Sequence, residues 1–246
     1  MSNHLLITGF TPFAGREENA SWIAAREIDA SFNQYTGSSK SRPGRVADPA
    51  GDENACSGFC DIASLRILEL PVIWGEPEKY LRAALEEAPA NIIIAMGEGR
   101  EHWIDLETLA CNRRAARQDN TDNLPECPAF SPRGPETIHA SFDMLALQRA
   151  LSPNFPVRRS RSAGGYLCEE TLYHLECLKA EYKTLQQVLF VHLPPLGTRL
   201  RMNGAPGYCD SATLRKFGEH LVNGILQIIS DRDRTVSRMK SLNTES

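Results

Sequence analysis

The chain has 246 residues, 41% apolar and 24% charged, with 27 Lys+Arg against 31 Asp+Glu for a net charge of −4. That composition is ordinary for a folded globular protein and excludes a chain held open by its own charge. A mildly acidic balance also argues against nucleic acid as the main partner, because a phosphate-binding footprint is basic overall or strongly patched. No run approaches the ~20 apolar residues that a membrane span needs. The opening MSNHLLITGFTPFAG lacks a basic n-region and has too short an apolar run for a signal peptide, so a cytoplasmic location is expected. The seven cysteines, an odd number, read as reduced thiols. Cys56 and Cys60 are spaced CxxxC without a second ligand pair nearby, and no structural metal is expected there.

In chain order, residues 4–8 form a continuous apolar run closed by Gly9, the signature of a strand buried on both faces. Residues 19–28 carry Trp22, Ile23 and Ile28 at helical spacing. Residues 34–61 are rich in Gly, Pro, Ser and charge and read as a surface insertion. Residues 65–70 alternate, which suits a strand nearer an edge. A helix follows at 78–88 on Tyr80, Leu81, Ala84 and Leu85, then a second buried strand at 91–96, closed by Gly97. Residues 117–136 form a further irregular stretch of the kind that shapes a site on a rigid scaffold. A helix at 168–179 (Leu172, Leu175, Leu178) precedes a third buried strand at 187–192, closed by Pro194-Pro195. The longest helix spans 212–229 on Leu214, Phe217, Leu221, Ile225 and Ile228, and residues 234–246 read as a flexible, solvated tail. Strands alternating with helices of this length predict an α/β fold. We expect a three-layer α/β/α sandwich with a mixed, mainly parallel twisted sheet, in one domain over residues 1–233. Ligands of such sheets bind outside the carboxyl ends of the strands.

Three residues carry candidate chemistry. Cys168 opens a helix, where the dipole favours a thiolate, although Glu169 and Glu170 oppose it; the alternative is a small buried hydrophobe. His192 closes a buried strand at its carboxyl end and could act as a base, or simply bond a backbone carbonyl. Glu107 follows Trp103-Ile104-Asp105-Leu106, an alternating stretch that puts Asp105 and Glu107 on one face and could orient a base, or be a solvated strand face. His174, six residues into the Cys168 helix, lies about 600° round from it, off the cysteine's face.

GFTPFAG at residues 9–15, followed by Asn19-Ala20-Ser21-Trp22, resembles the N-terminal signature GFxPFGG…NPSW of the pyroglutamyl-peptidase I (pyrrolidone-carboxylate peptidase) family. LPVIWG at 70–75 resembles its LPVxFG segment, and LETLACN at 106–112 its IERxAxN segment. Ala116-Arg117 with Asp119-Asn120 resembles a shortened ARIPDN. SAGGYLCEETLY at 162–173 resembles SAGxYxCNxxxY, and FVHLP at 190–194 resembles FIHxP. Six blocks in the family's order span roughly residues 4–195. The resemblance implies a cytoplasmic cysteine exopeptidase, often a homotetramer, that needs no cofactor or metal and acts on a peptide substrate with a blocked N-terminus. Cys168 would be the nucleophile, His192 its base and then acid, Glu107 the group that holds the imidazole, and Arg117 an oxyanion donor. Phe10, Phe13, Asn19, Tyr166 and Leu167 would line the pocket for a small, flat lactam.

The sequence also departs from the family pattern. The loop after the second buried strand is only Gly97-Glu98-Gly99-Arg100, and Glu98 adds a charge where the family has an uncharged residue beside the substrate. Ala14 replaces a glycine, Gln118 stands alone after Arg117, and Glu169 replaces an asparagine. On this basis Glu98 is expected to touch the substrate and to favour one with a positive charge or an extra donor. Two other readings follow: the same triad acting on a different N-terminal lactam, acyl or amide group, or a weakened relative serving as a binding module.

Overall fold

The first strand, β1 (Asn3–Phe10), buries Leu5 and Ile7 against one set of helices and Leu6 and Phe10 against another. A strand covered on both faces has no use for alternation, which is why its sequence is apolar throughout. The same holds for β3 (Ile92–Glu98) and β8 (Gln187–Leu193), buried almost throughout. The computed structural model describes residues 2–39, 59–201 and 207–244.

The remaining strands are β2 (Ile62–Leu70), β4 (Ile104–Glu107), β5 (Leu109–Cys111), β6 (Thr137–His139), β7 (Val157–Ser160), β9 (Arg199–Leu200) and β10 (Gly207–Tyr208). Six of the ten described strands form one sheet in the order β2-β1-β3-β8-β4-β7. β2, β1, β3 and β8 run parallel; β4 runs antiparallel to β8, and β7 parallel to β4. The sheet is therefore mixed and mainly parallel, as expected, with β2 at its edge. Two small antiparallel pairs, β5–β6 and β9–β10, lie outside it.

Helices α1 (Ala20–Ser39), α3 (Met144–Leu151) and α5 (Ser211–Thr244) cover one face of the sheet. Helices α2 (Glu76–Glu87) and α4 (Leu167–Glu181) cover the other. α1 outruns its expected end because Phe32 and Tyr35 stack on Phe59, with ring centroids 6.0 and 6.2 Å apart. Of the expected 34–61 insertion, residues 34–39 thus belong to α1 and 59–61 to a short 3₁₀ turn, while 40–58 lie outside the described residues. α5 likewise continues through the stretch read as a flexible tail. Past Ile229 it has little to bury, and it is held by local pairs such as Arg234 with Asp231 and Gln227 Nε2 to Asp231 at 3.2 Å. Tyr80, read as an inward position of α2, faces solvent; Leu81, Ala84 and Leu85 are the buried ones.

Candidate active site

Strand register builds the site. On β8, Val188, Phe190 and His192 share the face toward α4; on β3, Ile93, Ala95 and Gly97 do. Gly97 pairs directly with His192 across the two strands. Because residue 97 has no side chain, the start of α4 can settle there: a Cβ on Gly97 would lie 2.6 Å from the Cys168 sulfur. Gly99 does the same for the histidine, since a Cβ there would lie 2.7 Å from His192 Cβ. Sequence reasoning treated both glycines as strand-end and loop residues. Their role depends on register and could not be read from spacing.

The reversed strand β4 supplies the carboxylate. Ile104 and Leu106 point into the α1/α5 core, so Asp105 and Glu107 point to the α4 side, buried rather than solvated. Asp105 sits directly opposite His192 in register but is claimed by Arg158, whose Nη2 donates to Oδ2 at 3.1 Å. Glu107, one pleat further along, takes the histidine: Oε1 lies 2.8 Å from His192 Nδ1. The other side of the imidazole hydrogen-bonds Cys168. Burial alone would depress the His192 pKa, but the Cys168 sulfur and the Glu107 carboxylate outweigh it and raise it to about 10. The histidine is therefore charged at neutral pH.

Cys168 is the second residue of α4, in the first turn, at the positive end of the helix. The two glutamates that follow are occupied elsewhere. Glu169 accepts from the backbone N–H of Cys111 (2.7 Å) and Gly165 (3.1 Å), tying down the glycine loop before Cys168. Burial still lifts its pKa, which weakens its charge. Glu170 is fully buried and paired with Arg114, and also accepts from Gly75 N–H at 3.1 Å. His174 pairs with Glu78 of α2, Nδ1 to Oε2 3.2 Å, away from the cysteine.

All ten residues singled out from the sequence line one cavity of about 350 Å³: Cys168, His192, Glu107, Arg117, Phe10, Phe13, Asn19, Tyr166, Leu167 and Glu98. Phe10, Phe13, Tyr166 and Leu167 give it apolar walls. Asn19 also caps α1: its Oδ1 accepts from Ser21 N–H (3.0 Å) and Oγ (2.8 Å), while Nδ2 donates to Thr11 O (3.0 Å). The long 117–136 loop is anchored by Asp119, whose carboxylate accepts from the backbone N–H of Trp74, Thr121 and Asn123. That fold carries Arg117 to the cavity, its guanidinium 4.3 Å from the Tyr166 ring centre and 5.7 Å from that of Phe13.

Glu98 differs from expectation in its surroundings. Its carboxylate pairs with Arg16 and accepts the first N–H of α1, Ala20 N at 3.2 Å. The charge is met within the chain, by a residue 82 positions away that the sequence did not suggest. A substrate cation is not required to balance it.

A cysteine and a carboxylate joined through one histidine, at the mouth of a mixed α/β sheet, are the equipment of a cysteine hydrolase. The chain belongs to the pyroglutamyl peptidase family, whose model matches residues 58–226. It is 31% identical over 195 residues to the pyrrolidone-carboxylate peptidase of Gloeobacter violaceus, covering 78% of this chain and 82% of that one. It is 27% identical over 197 residues to pyroglutamyl-peptidase 1 of Homo sapiens, covering 78% and 79%. In fold it is similar to the crystal structure of pyroglutamyl peptidase I from Bacillus amyloliquefaciens, with a TM-score of 0.69 at 20% identity over 92% of this chain and 96% of that one.

Proposed function

We propose that this chain is a cysteine exopeptidase that removes N-terminal pyroglutamate from peptides through a thioester. One observation carries the reading: the His192 ring joins Glu107 to Cys168 inside a cavity with apolar walls of the size a lactam needs. The lactam lies between Phe10, Phe13, Tyr166 and Leu167, and Asn19 borders the same space. The Cys168 thiolate attacks the carbonyl that links the lactam to the next residue. The backbone N–H of Cys168 and the Arg117 guanidinium hold the oxyanion; one such donor is worth ~3 kcal/mol. His192 gives its proton to the departing amine, then takes one from the water that cleaves the thioester. Glu107 holds the imidazole in place and stabilises its charged form.

The charge of Glu98 is balanced by Arg16, so it does not stand against an uncharged lactam. Among the described residues no helix is long and apolar enough to cross a membrane, and Cys111, Cys127, Cys168, Cys177 and Cys209 are free thiols. Both features suit action in the cytoplasm, and we place the enzyme there, as a homotetramer like those the family resemblance implies. The test is steady-state cleavage of a pyroglutamyl fluorogenic amide in reducing buffer, with Cys168→Ala alongside. Turnover abolished in the variant is expected. A folded protein that leaves the amide intact, or a variant that still cleaves it, overturns the reading.

A further inference from the structure

We infer that the cavity selects blocked peptides whose departing part carries a carboxylate close to the scissile bond, and that Arg100 reads it. This rests on the exopeptidase reading and adds the chemistry of the leaving side.

The inference comes from pairing the charges around the cavity. Arg16 and Glu98 neutralise one another. Asp105 is held by Arg158. Glu107 is held by His192, which also faces Cys168. Two guanidinium groups on the cavity wall remain without an acidic partner among the described residues, Arg100 and Arg117. A cavity meant for a small uncharged lactam has no need of both. Arg117 lies over the rings of Tyr166 and Phe13, on the lactam side. Arg100 lines the same cavity and is exposed. It follows Gly99, whose Cα packs against His192 so closely that a Cβ would stand 2.7 Å from the histidine Cβ.

That position has a chemical meaning. His192 is the proton donor to the departing amine, so its flank is where the shortened peptide lies when the bond breaks. An exposed guanidinium there meets the first residue beyond the lactam. Either an acidic side chain at that residue or, in a blocked dipeptide, its own terminal carboxylate comes within reach. A guanidinium binds carboxylates with paired, directional hydrogen bonds. It also offsets the repulsion such a substrate meets from the buried Glu107 carboxylate and the thiolate.

The experiment compares kcat/KM for two matched pairs, pyroglutamyl-alanine against its amide, and pyroglutamyl-glutamate amide against pyroglutamyl-glutamine amide, in wild type, Arg100→Gln and Arg100→Lys. The acidic member is expected to be favoured about fivefold in at least one pair, which is what one partly exposed ion pair supplies. The preference is expected to shrink at high salt, to vanish in Arg100→Gln and to survive in part in Arg100→Lys. A preference confined to the first pair identifies the terminal carboxylate as the ligand; one confined to the second identifies the side chain. Equal kcat/KM within both pairs, or a preference that persists in Arg100→Gln, overturns the inference while leaving the peptidase reading intact. Failure to cleave any of the four, and the fluorogenic amide too, overturns both.

Discussion

Gly97→Ala isolates the contact on which the position of Cys168, the proposed nucleophile, depends. Gly97 sits in an extended strand, so alanine imposes no backbone strain there. The added methyl would lie 2.6 Å from the Cys168 sulfur and 3.0 Å from Phe190 Cζ. Ordinary contact needs about 3.5–4.0 Å, so the overlap with the sulfur is about 1 Å. Phe190 is wholly buried and cannot yield, so the start of α4 or the cysteine rotamer must. Displacing a reacting atom by about 1 Å costs roughly 10²-fold in rate. Overpacking at such a site costs about 1–3 kcal/mol; for a chain of this size that lowers Tm by about 2–12 °C. The assay is kcat/KM on a pyroglutamyl amide, with a thermal melt and the rate of Cys168 alkylation by iodoacetamide beside it. A variant that is folded, with wild-type kcat/KM and alkylation rate, would refute the claim that the missing side chain at 97 makes room for the sulfur.

The remaining predictions concern charge. Because His192 holds its proton until about pH 10, the alkaline limb of kcat/KM should lie near that value, well above the usual histidine range. Glu107→Gln should move the limb downward and cut kcat/KM by about 10²-fold or more, and an unmoved limb would count against Glu107 as the charge partner. The folded pKa of His192 is raised, so its contribution to stability is complete below the unfolded value of 6.5 and is lost as pH rises through about 10. Arg114→Ala strands the fully buried Glu170 carboxylate beneath the nucleophile helix. It should cost about 3–5 kcal/mol in a denaturant titration, and a loss well under that range would mean Glu170 has another counter-charge.

How much of this was legible in the sequence depends on what each feature rests upon. β1, β3 and β8 announced themselves because burial on two faces forces continuous apolar runs. β5, β6, β9 and β10 did not: they are two or three residues long, outside the main sheet, and much of their surface is polar. α3 also went unread, its eight residues being too short to establish a period. Cys168, His192 and Glu107 were singled out by their places at element ends and by their motifs, and the fold brings them to one cavity. Gly97, Arg16 and Arg114 were not, because each acts on a residue brought near only by the fold. The Glu98 charge shows the difference most sharply. Local sequence shows an acid in a loop, and only the packing of α1 against β3 shows the arginine and the helix end that hold it.

The place of β8 in the sheet has a consequence for how the chain comes to life. It is the last of the sheet's six strands to be synthesised, beginning at residue 187, yet it lies between β3 and β4, which precede it by some eighty to ninety residues. Glu107 and His192 meet across a separation of 85 residues. Completing the sheet therefore waits on a central strand made after its neighbours, a long-range pairing of the slow kind. Until β8 enters, there is no imidazole beside the thiol. On the proposed reading, the peptidase site is therefore completed only by a strand made after Cys168 and after the other five strands of the sheet.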